Sequence, residues 1–126
     1  MPRLLDGMST TEIKRYLHAL EYTRGTLGDD IPIAYVSGLL YIAVRESLGE
    51  PIEVLGMVKA LDINEAKASR LVSYLSAKKQ RGKQGLGYVE KVEDSYDQRK
   101  KYVFLTPKAK AFLHGLTEIM QGRMDN

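Results

Sequence analysis

The chain contains 126 residues, enough for one domain with a hydrophobic core that needs neither disulfides nor a bound metal. It has no cysteine and only two histidines, which excludes a thiolate nucleophile, a disulfide framework, a thiol redox sensor and a Cys/His zinc site. The formal net charge is +3, but residues 67–110 alone contain 12 Lys or Arg against 4 Asp or Glu, which predicts a local surface for a polyanion.

The first third of the chain predicts two helices. Ser9-Thr10-Thr11-Glu12 is typical of a helix start, and the apolar spacing that follows predicts an amphipathic helix over roughly 10–25, stopping near Gly25 and Gly28. A second helix is expected from Pro32 to about Leu48. Apolar residues wrap most of the second helix, so we expect it at the buried centre of the domain.

Two further helices are predicted on either side of Asp62-Ile63-Asn64. The first is short, over 53–61, and the second runs over 65–79 with Asn64 as its N-cap. Helices joined by about three residues form a helix-turn-helix. The second of them carries one apolar stripe, formed by Ala68, Leu71, Val72 and Leu75. Its remaining surface is small, polar and basic.

The second half of the chain predicts a hairpin and a closing helix. A glycine-punctuated basic loop spans 78–85, and two β-branched and aromatic runs, 88–92 and 102–105, predict a two-stranded hairpin with a polar tip. Thr106-Pro107 then begins a helix that continues almost to the C-terminus.

Specific residues in this order of elements resemble the MarR family of winged helix-turn-helix regulators. The strongest match is Asp94-Ser95-Tyr96-Asp97-Gln98-Arg99, which resembles the family's Asp-x-x-Asp-x-Arg wing, followed by a strand and Leu105-Thr106. The run from Leu61 to Leu75 is similar to the family's turn and recognition helix. The resemblance covers about residues 32–120.

Three features depart from the family pattern. Gly85 or Gly87 lies 10 or 12 residues after Leu75, where the family has about four, so the basic loop looks inserted. Ala109 stands where a glycine is common, and the chain is short at both ends for this family. These departures bear on how far the family's dimer interface and ligand pocket apply to this chain, and they bear less on DNA binding.

The resemblance implies a mainly α fold with a small β-hairpin: a winged helix-turn-helix whose terminal helices form a dimerisation region. We expect residues 1–126 to form a single winged-helix domain, with dimerisation helices over 10–28 and 107–122. The DNA-binding core would span 32–106, with the wing at about 88–105. The implied function is a homodimeric, sequence-specific regulator, a repressor, that binds an inverted repeat in double-stranded DNA. Helix 65–79 would enter the major groove and wing 93–101 the minor groove.

The DNA-binding candidates fall in two groups. By position in the second helix of the helix-turn-helix, we expect contacts from Asn64, Lys67, Ser69, Arg70, Ser73 and Tyr74. In the wing, the resemblance implies that Arg99 reaches the minor groove while Asp97 holds its guanidinium in a bidentate pair. Phosphate neutralisation is expected from Lys78, Lys79, Lys100 and Lys101, with Arg81 and Lys83. Each group has an alternative interpretation. The helix residues could be a solvated helix face, Asp97 and Arg99 a surface ion pair that adds little stability, and the basic loop a charge run that only adds solubility.

The terminal helices carry apolar stripes that a small domain cannot easily bury alone. The dimerisation candidates are Ile13, Leu17, Leu20, Phe112, Leu116, Ile119 and Met120, and the alternative is packing within one subunit. A small aromatic effector would bind in a cleft lined by Tyr16, Tyr22, Tyr35 and Tyr41, although such tyrosines are more often core or interface residues. His18 and His114 are interpreted as helix-surface or interface residues.

Other classes of function have less support. No phosphate loop, nucleophile elbow or metal-ligand spacing is present, so we expect neither an enzyme nor a cofactor. The first residues lack a signal peptide's apolar stretch and the apolar segment 31–44 is too short to span a bilayer, so a cytoplasmic location and no membrane partner are expected. The alternative is a winged-helix accessory or architectural factor, of plasmid or phage type, that binds DNA without promoter-specific repression or binds a partner protein.

Overall fold

The computed structural model describes residues 10–50, 52–77, 85–97 and 99–123. The elements follow the order α1 (Thr10–Leu27), α2 (Ile33–Ser47), β1 (Ile52–Glu53), α3 (Gly56–Leu61), α4 (Glu65–Leu75), β2 (Val89–Glu93), β3 (Lys101–Leu105) and α5 (Pro107–Met120). The chain divides into two compact units. We call the part formed by residues up to 30 and from 111 onward the terminal unit, and residues 31–110 the central unit.

The central unit contains the predicted helix-turn-helix, formed by α3 and α4. Asp62 ends α3 in the left-handed region, with a φ of 53°, a conformation that aspartate tolerates better than most residues. The Ile63 N–H then donates to the Val58 carbonyl, which closes the turn at 3.1 Å. The turn therefore connects α3 to α4 without a glycine.

The sheet has three antiparallel strands in the order β1-β3-β2, so the predicted two-stranded hairpin is incomplete. Ile52 pairs with Val103 and Glu53 with Tyr102, and the Val54 N–H donates to the Lys101 carbonyl at 2.9 Å. Residues 53–55 are therefore not helical, and the prediction of a helix over 53–61 is wrong at its start. A two-residue strand has no alternation of its own to reveal it, because only its pairing with β3 holds it extended.

The helix α4 is shorter than predicted. The helix ends at Leu75 instead of continuing to 79, and Ser76 is extended and forms a β-bridge with Val89. The Gly87 and Tyr88 N–H groups donate to the carbonyls of Ser76 and Leu75, at 3.2 and 2.7 Å. These hydrogen bonds pair the residues at the end of α4 with the residues that lead into β2. Helical periodicity gives no information about such a pairing. Residues 78–84 lie outside the described residues.

The helix α2, which we expected at the buried centre of the domain, is buried along one face. Gly38, Leu39 and Ile42 are buried, whereas an opposite stripe of apolar residues is exposed, namely Ile33, Leu40, Val44 and Leu48. At Gly38 the two helices α2 and α4 approach closely: a Cβ there would lie 2.8 Å from both terminal methyl groups of the fully buried Leu71. A side chain at position 38 would therefore force the Leu71 side chain to shift.

The terminal unit contains all of α1 and most of α5. The rings of Tyr22 and Phe112 stack with centroids 5.2 Å apart, and the Tyr22 hydroxyl donates to the Phe112 carbonyl at 3.0 Å. Gly115 leaves the room for that hydroxyl, because a Cβ at this position would collide with it. Ser9, the first residue of the predicted helix start, lies outside the described residues. Among the helices that the structure describes, none has the length and apolar character of a membrane span.

Replacing Gly38 by valine tests the close approach of α2 and α4. We expect Gly38→Val to lower the free energy of unfolding by about 1–3 kcal/mol, because the added side chain overpacks Leu71. The control is Gly25→Ala in α1, where an added Cβ meets nothing within 4 Å. That variant should gain about 0.5–1 kcal/mol from helix propensity. Urea unfolding at one protein concentration measures both changes. A Gly38→Val variant as stable as the parent would contradict the packing argument.

Candidate nucleic-acid interface

The outward face of α4 is the first part of the candidate interface. Ala68, Leu71, Val72 and Leu75 are buried and face the core of the central unit. On the opposite side, Ser69 and Arg70 are exposed and Ser73 is half-buried. Ala66 is exposed on the same stripe, one turn before Arg70, and the sequence analysis did not select it because alanine carries no polar group.

The start of α4 is held by the predicted N-cap. The Asn64 Oδ1 accepts a hydrogen bond from the Lys67 backbone N–H at 2.7 Å, so this oxygen is occupied by the helix itself. Asn64 therefore has a structural role beside the predicted contact with DNA. The Lys67 side chain is half-buried beside the stripe.

Tyr74 differs from the other candidates on α4. Its ring packs against Tyr35 of α2, with centroids 5.0 Å apart and the planes tilted by 58°. Its backbone carbonyl accepts from the Leu86 N–H at 3.1 Å. Tyr74 is thus a half-buried packing residue, and its contact with DNA stays a prediction.

The wing is the hairpin of β2 and β3, in the register that runs from Val89 opposite Leu105 to Glu93 opposite Lys101. Its tip is closed by the Asp94 N–H, which donates to the Lys100 carbonyl at 2.9 Å. The Asp94 carboxylate accepts from the Tyr96 backbone N–H at 2.8 Å, and this hydrogen bond is the main reason that the pKa of Asp94 lies below its ordinary value. The tip therefore has a defined shape although it lies at the surface.

Asp97 and Arg99 interact as the wing motif implied, but not in a bidentate pair. The Arg99 Nε lies 3.3 Å from the Asp97 Oδ1, and the Arg99 backbone N–H donates to the same oxygen at 3.0 Å. A single carboxylate oxygen is shared because the two residues are only two positions apart in a tight turn. The Arg99 side chain is 92% exposed, so the guanidinium remains accessible.

Other residues of the wing differ in accessibility. Tyr96 is 99% exposed at the tip and is a candidate that the sequence analysis did not select. Only its place in the Asp-x-x-Asp-x-Arg motif pointed to it. Lys100 is exposed, whereas Lys101 is half-buried on β3, opposite Glu93. Lys78 and Lys79, with Arg81 and Lys83, lie outside the described residues.

The Leu-Thr pattern that follows the wing has a structural explanation. The Thr106 hydroxyl donates to the Gly87 carbonyl at 2.8 Å and accepts from the Ala109 N–H at 3.2 Å. Lys108 donates to the Leu86 carbonyl at 2.9 Å, and its ammonium lies 5.3 Å from the centre of the Tyr88 ring. These contacts tie the start of α5 to the residues that lead into β2. They hold the base of the wing.

The predicted dimerisation residues separate into exposed and buried groups. Ile13, Leu17 and Leu20 form an exposed stripe on α1, and Met120 is exposed on α5. Phe112 and Ile119 are buried within the chain, and Leu116 is half-buried. The exposed members of the predicted dimerisation set therefore lie mainly on α1.

Tyr22 and Tyr35, two of the four tyrosines proposed to line an effector cleft, are occupied by contacts within their own units. The central unit contains an open cleft of about 160 Å³ lined by Ile42, Glu46, Gly49, Glu50, Ile52, Val103 and Phe104. None of the four tyrosines lines that cleft. Among the described residues, no cluster of three or more His, Asp or Glu could hold a metal ion.

The fold is similar to those of solved transcriptional regulators. A mutant of MepR from a multidrug-resistant S. aureus clinical isolate matches with a TM-score of 0.67 at 19% identity, covering 87% of this chain and 70% of that chain. The S. aureus MepR–DNA complex matches with a TM-score of 0.63 at 19% identity, covering 87% and 76%. A mutant of MarR from E. coli matches with a TM-score of 0.58 at 19% identity, covering 96% and 78%. No protein-family model and no curated protein sequence matches.

These similarities confirm the predicted fold, a mainly helical MarR-like winged helix. The order of helix-turn-helix, hairpin and closing helix is the one predicted, with β1 as the added element.

The N-cap of α4 can be tested separately from any contact with DNA. We expect Asn64→Ala to lower the free energy of unfolding by about 1 kcal/mol, because the Lys67 N–H loses its acceptor. Asn64→Asp keeps a side-chain oxygen at that position and should retain most of the parent's stability. Chemical unfolding measures both variants, and equal losses in the two would argue against the cap.

Proposed function

We propose that this chain is a sequence-specific double-stranded DNA-binding regulator that acts as a homodimeric repressor. In this proposal α4 lies in the major groove and the wing tip in the minor groove. The observation that carries the proposal is that Arg70 on α4 and Arg99 on the wing are both exposed on the central unit. The similarity of the fold to MepR, which has been solved as a complex with DNA, supports the same reading.

The chemistry of the two cations fits the two grooves. An arginine on a helix in the major groove donates to guanine O6 and N7, and an arginine in the minor groove is attracted by its negative potential. A surface pair such as Asp97 with Arg99 contributes little to stability. The pair instead orients the Arg99 guanidinium, which remains accessible at the tip of the wing. Lys100 then adds an exposed charge for phosphate.

Self-association is proposed through α1. An exposed stripe of Ile13, Leu17 and Leu20 on one helix is costly in water, and a two-fold axis would bury the same stripe on both copies. Met120 on α5 adds to the apolar surface of the terminal unit. Two central units in one dimer would read two half-sites about one helical turn apart, so the operator is expected to be an inverted repeat.

The proposed function predicts how two arginine substitutions change DNA binding. With duplex DNA from upstream of the protein's own gene, we expect Arg70→Ala and Arg99→Ala each to weaken binding by about 5- to 100-fold. Arg24→Ala is the control, since Arg24 is an exposed arginine of the terminal unit that pairs with Glu21 and Asp29. Fluorescence anisotropy at two salt concentrations, with a scrambled competitor, measures the affinities.

The same experiment separates the other candidate functions. Binding that tolerates the scrambled competitor and falls steeply with salt would favour an accessory or architectural DNA-binding factor. No binding even at low salt would contradict the DNA-binding proposal and favour a partner protein. Affinities unchanged in both arginine variants would place the interface elsewhere on the surface.

The dimer is tested by a charge in the α1 stripe. We expect Leu17→Asp to shift the protein from dimer to monomer in analytical ultracentrifugation and to weaken operator binding, because a buried carboxylate is unpaired at the interface. Thr11→Asp adds the same charge to an exposed position of α1 outside the stripe and should leave the dimer intact. A dimer unaffected by Leu17→Asp would exclude this stripe as the interface.

A further inference from the structure

The outward face of α4 consists mainly of small side chains. Ala66, Ser69, Arg70 and Ser73 follow the spacing i, i+3, i+4 and i+7 and lie opposite the buried residues of the helix. Arg70 alone among these four has a long side chain. A helix with side chains is about 10–12 Å across and the major groove is about 12 Å wide. Small residues on this face let the backbone of α4 approach the base edges closely.

Ala66 offers a methyl group and nothing else to a base edge. In the major groove the matching apolar group is the C5-methyl group of thymine. Glu65 precedes Ala66 and is exposed in the first turn of α4, where its carboxylate would repel a phosphate group. The beginning of α4 is therefore better suited to base edges than to the DNA backbone.

Arg70 is free to reach a base. In the part of the chain that the structure describes, no ion pair to a carboxylate involves Arg70. Its guanidinium matches the paired acceptors O6 and N7 of guanine. Ala66 and Arg70 are separated by one turn of helix, about 6 Å along the axis, which corresponds to one or two base-pair steps of about 3.4 Å.

We infer that each half-site contains a guanine read by Arg70 and, one or two base pairs away, a thymine whose methyl group packs against Ala66. This inference rests on the proposed function and specifies its ligand. Ser69 and Ser73 are compatible with any base and add little discrimination. Ala66 is thus a specificity-determining residue beside Arg70, and the pair reads a short guanine-and-thymine step.

Selection of duplexes from a random pool, followed by base analogues in the selected site, tests the inference. We expect the selected half-sites to share a guanine with a thymine within two base pairs. Uracil in place of that thymine should weaken binding about fourfold, the value of one buried methyl group. 7-Deazaguanine in place of the guanine removes N7 and should weaken binding about tenfold.

Protein variants assign each base to its residue. In Ala66→Gly the fourfold difference between thymine and uracil should disappear, and in Arg70→Ala the difference between guanine and 7-deazaguanine should disappear. Ala60→Gly, at an exposed alanine of α3, is the control for the loss of helix propensity and should preserve both differences. Since the analogues are also compared on the parent protein, the result does not depend on the stability of one variant.

The outcomes are distinguishable. Specific binding that is indifferent to both analogues would overturn the inference and leave the proposed function standing. Selection of sites in which the guanine lacks a neighbouring thymine would overturn the role of Ala66. Failure of the pool to yield any enriched sequence would contradict sequence-specific binding itself, and the inference with it.

Discussion

The close packing of α2 on α4 at Gly38 and Leu71 is the contact on which the proposed DNA-reading surface depends. Leu71 is fully buried, and Gly38 contributes no side chain at the point where the two helices meet. Leu71 belongs to the buried stripe of α4, and the Asn64 cap holds the start of the same helix. The outward face is formed by the residues opposite this buried stripe, and apart from Arg70 their side chains are small. A shape suited to a groove follows from how the helix is packed.

The wing obtains its order in a different way, through hydrogen bonds instead of burial. Asp94 and Asp97 each accept from a backbone N–H two residues ahead, and the Tyr102 hydroxyl lies 3.4 Å from the second Asp94 oxygen. At the base of the wing, Thr106 bonds both the residue before Tyr88 and the first turn of α5. These bonds define the tip while Arg99 remains almost completely exposed. The Arg99 guanidinium is thus oriented by Asp97 and still exposed to solvent, which suits a polyanionic ligand.

The terminal unit follows another constraint. Tyr22 of α1 packs closely against Phe112 and Gly115 of α5. The facing sides of the two helices are therefore buried against each other within one chain. The outer stripe of α1 has no such partner in the described chain, and three large apolar side chains remain in water. An exposed stripe of this kind is characteristic of an interface. Of the apolar residues of α5 that looked equivalent in sequence, Phe112 and Ile119 are buried.

The sequence by itself determined the order of the helices, the helix-turn-helix, the cap at Asn64 and the hairpin, because periodicity, caps and β-branched runs are local signals. It also pointed to Arg70 and Arg99 through charge and a family resemblance. Only the tertiary structure decided that β1 exists, that α4 ends at Leu75, that α2 is buried on one face and that Phe112 and Ile119 face inward. It also revealed Ala66 and Tyr96 as accessible residues. These features depend on which distant segment packs against a residue, and that information is absent from local spacing.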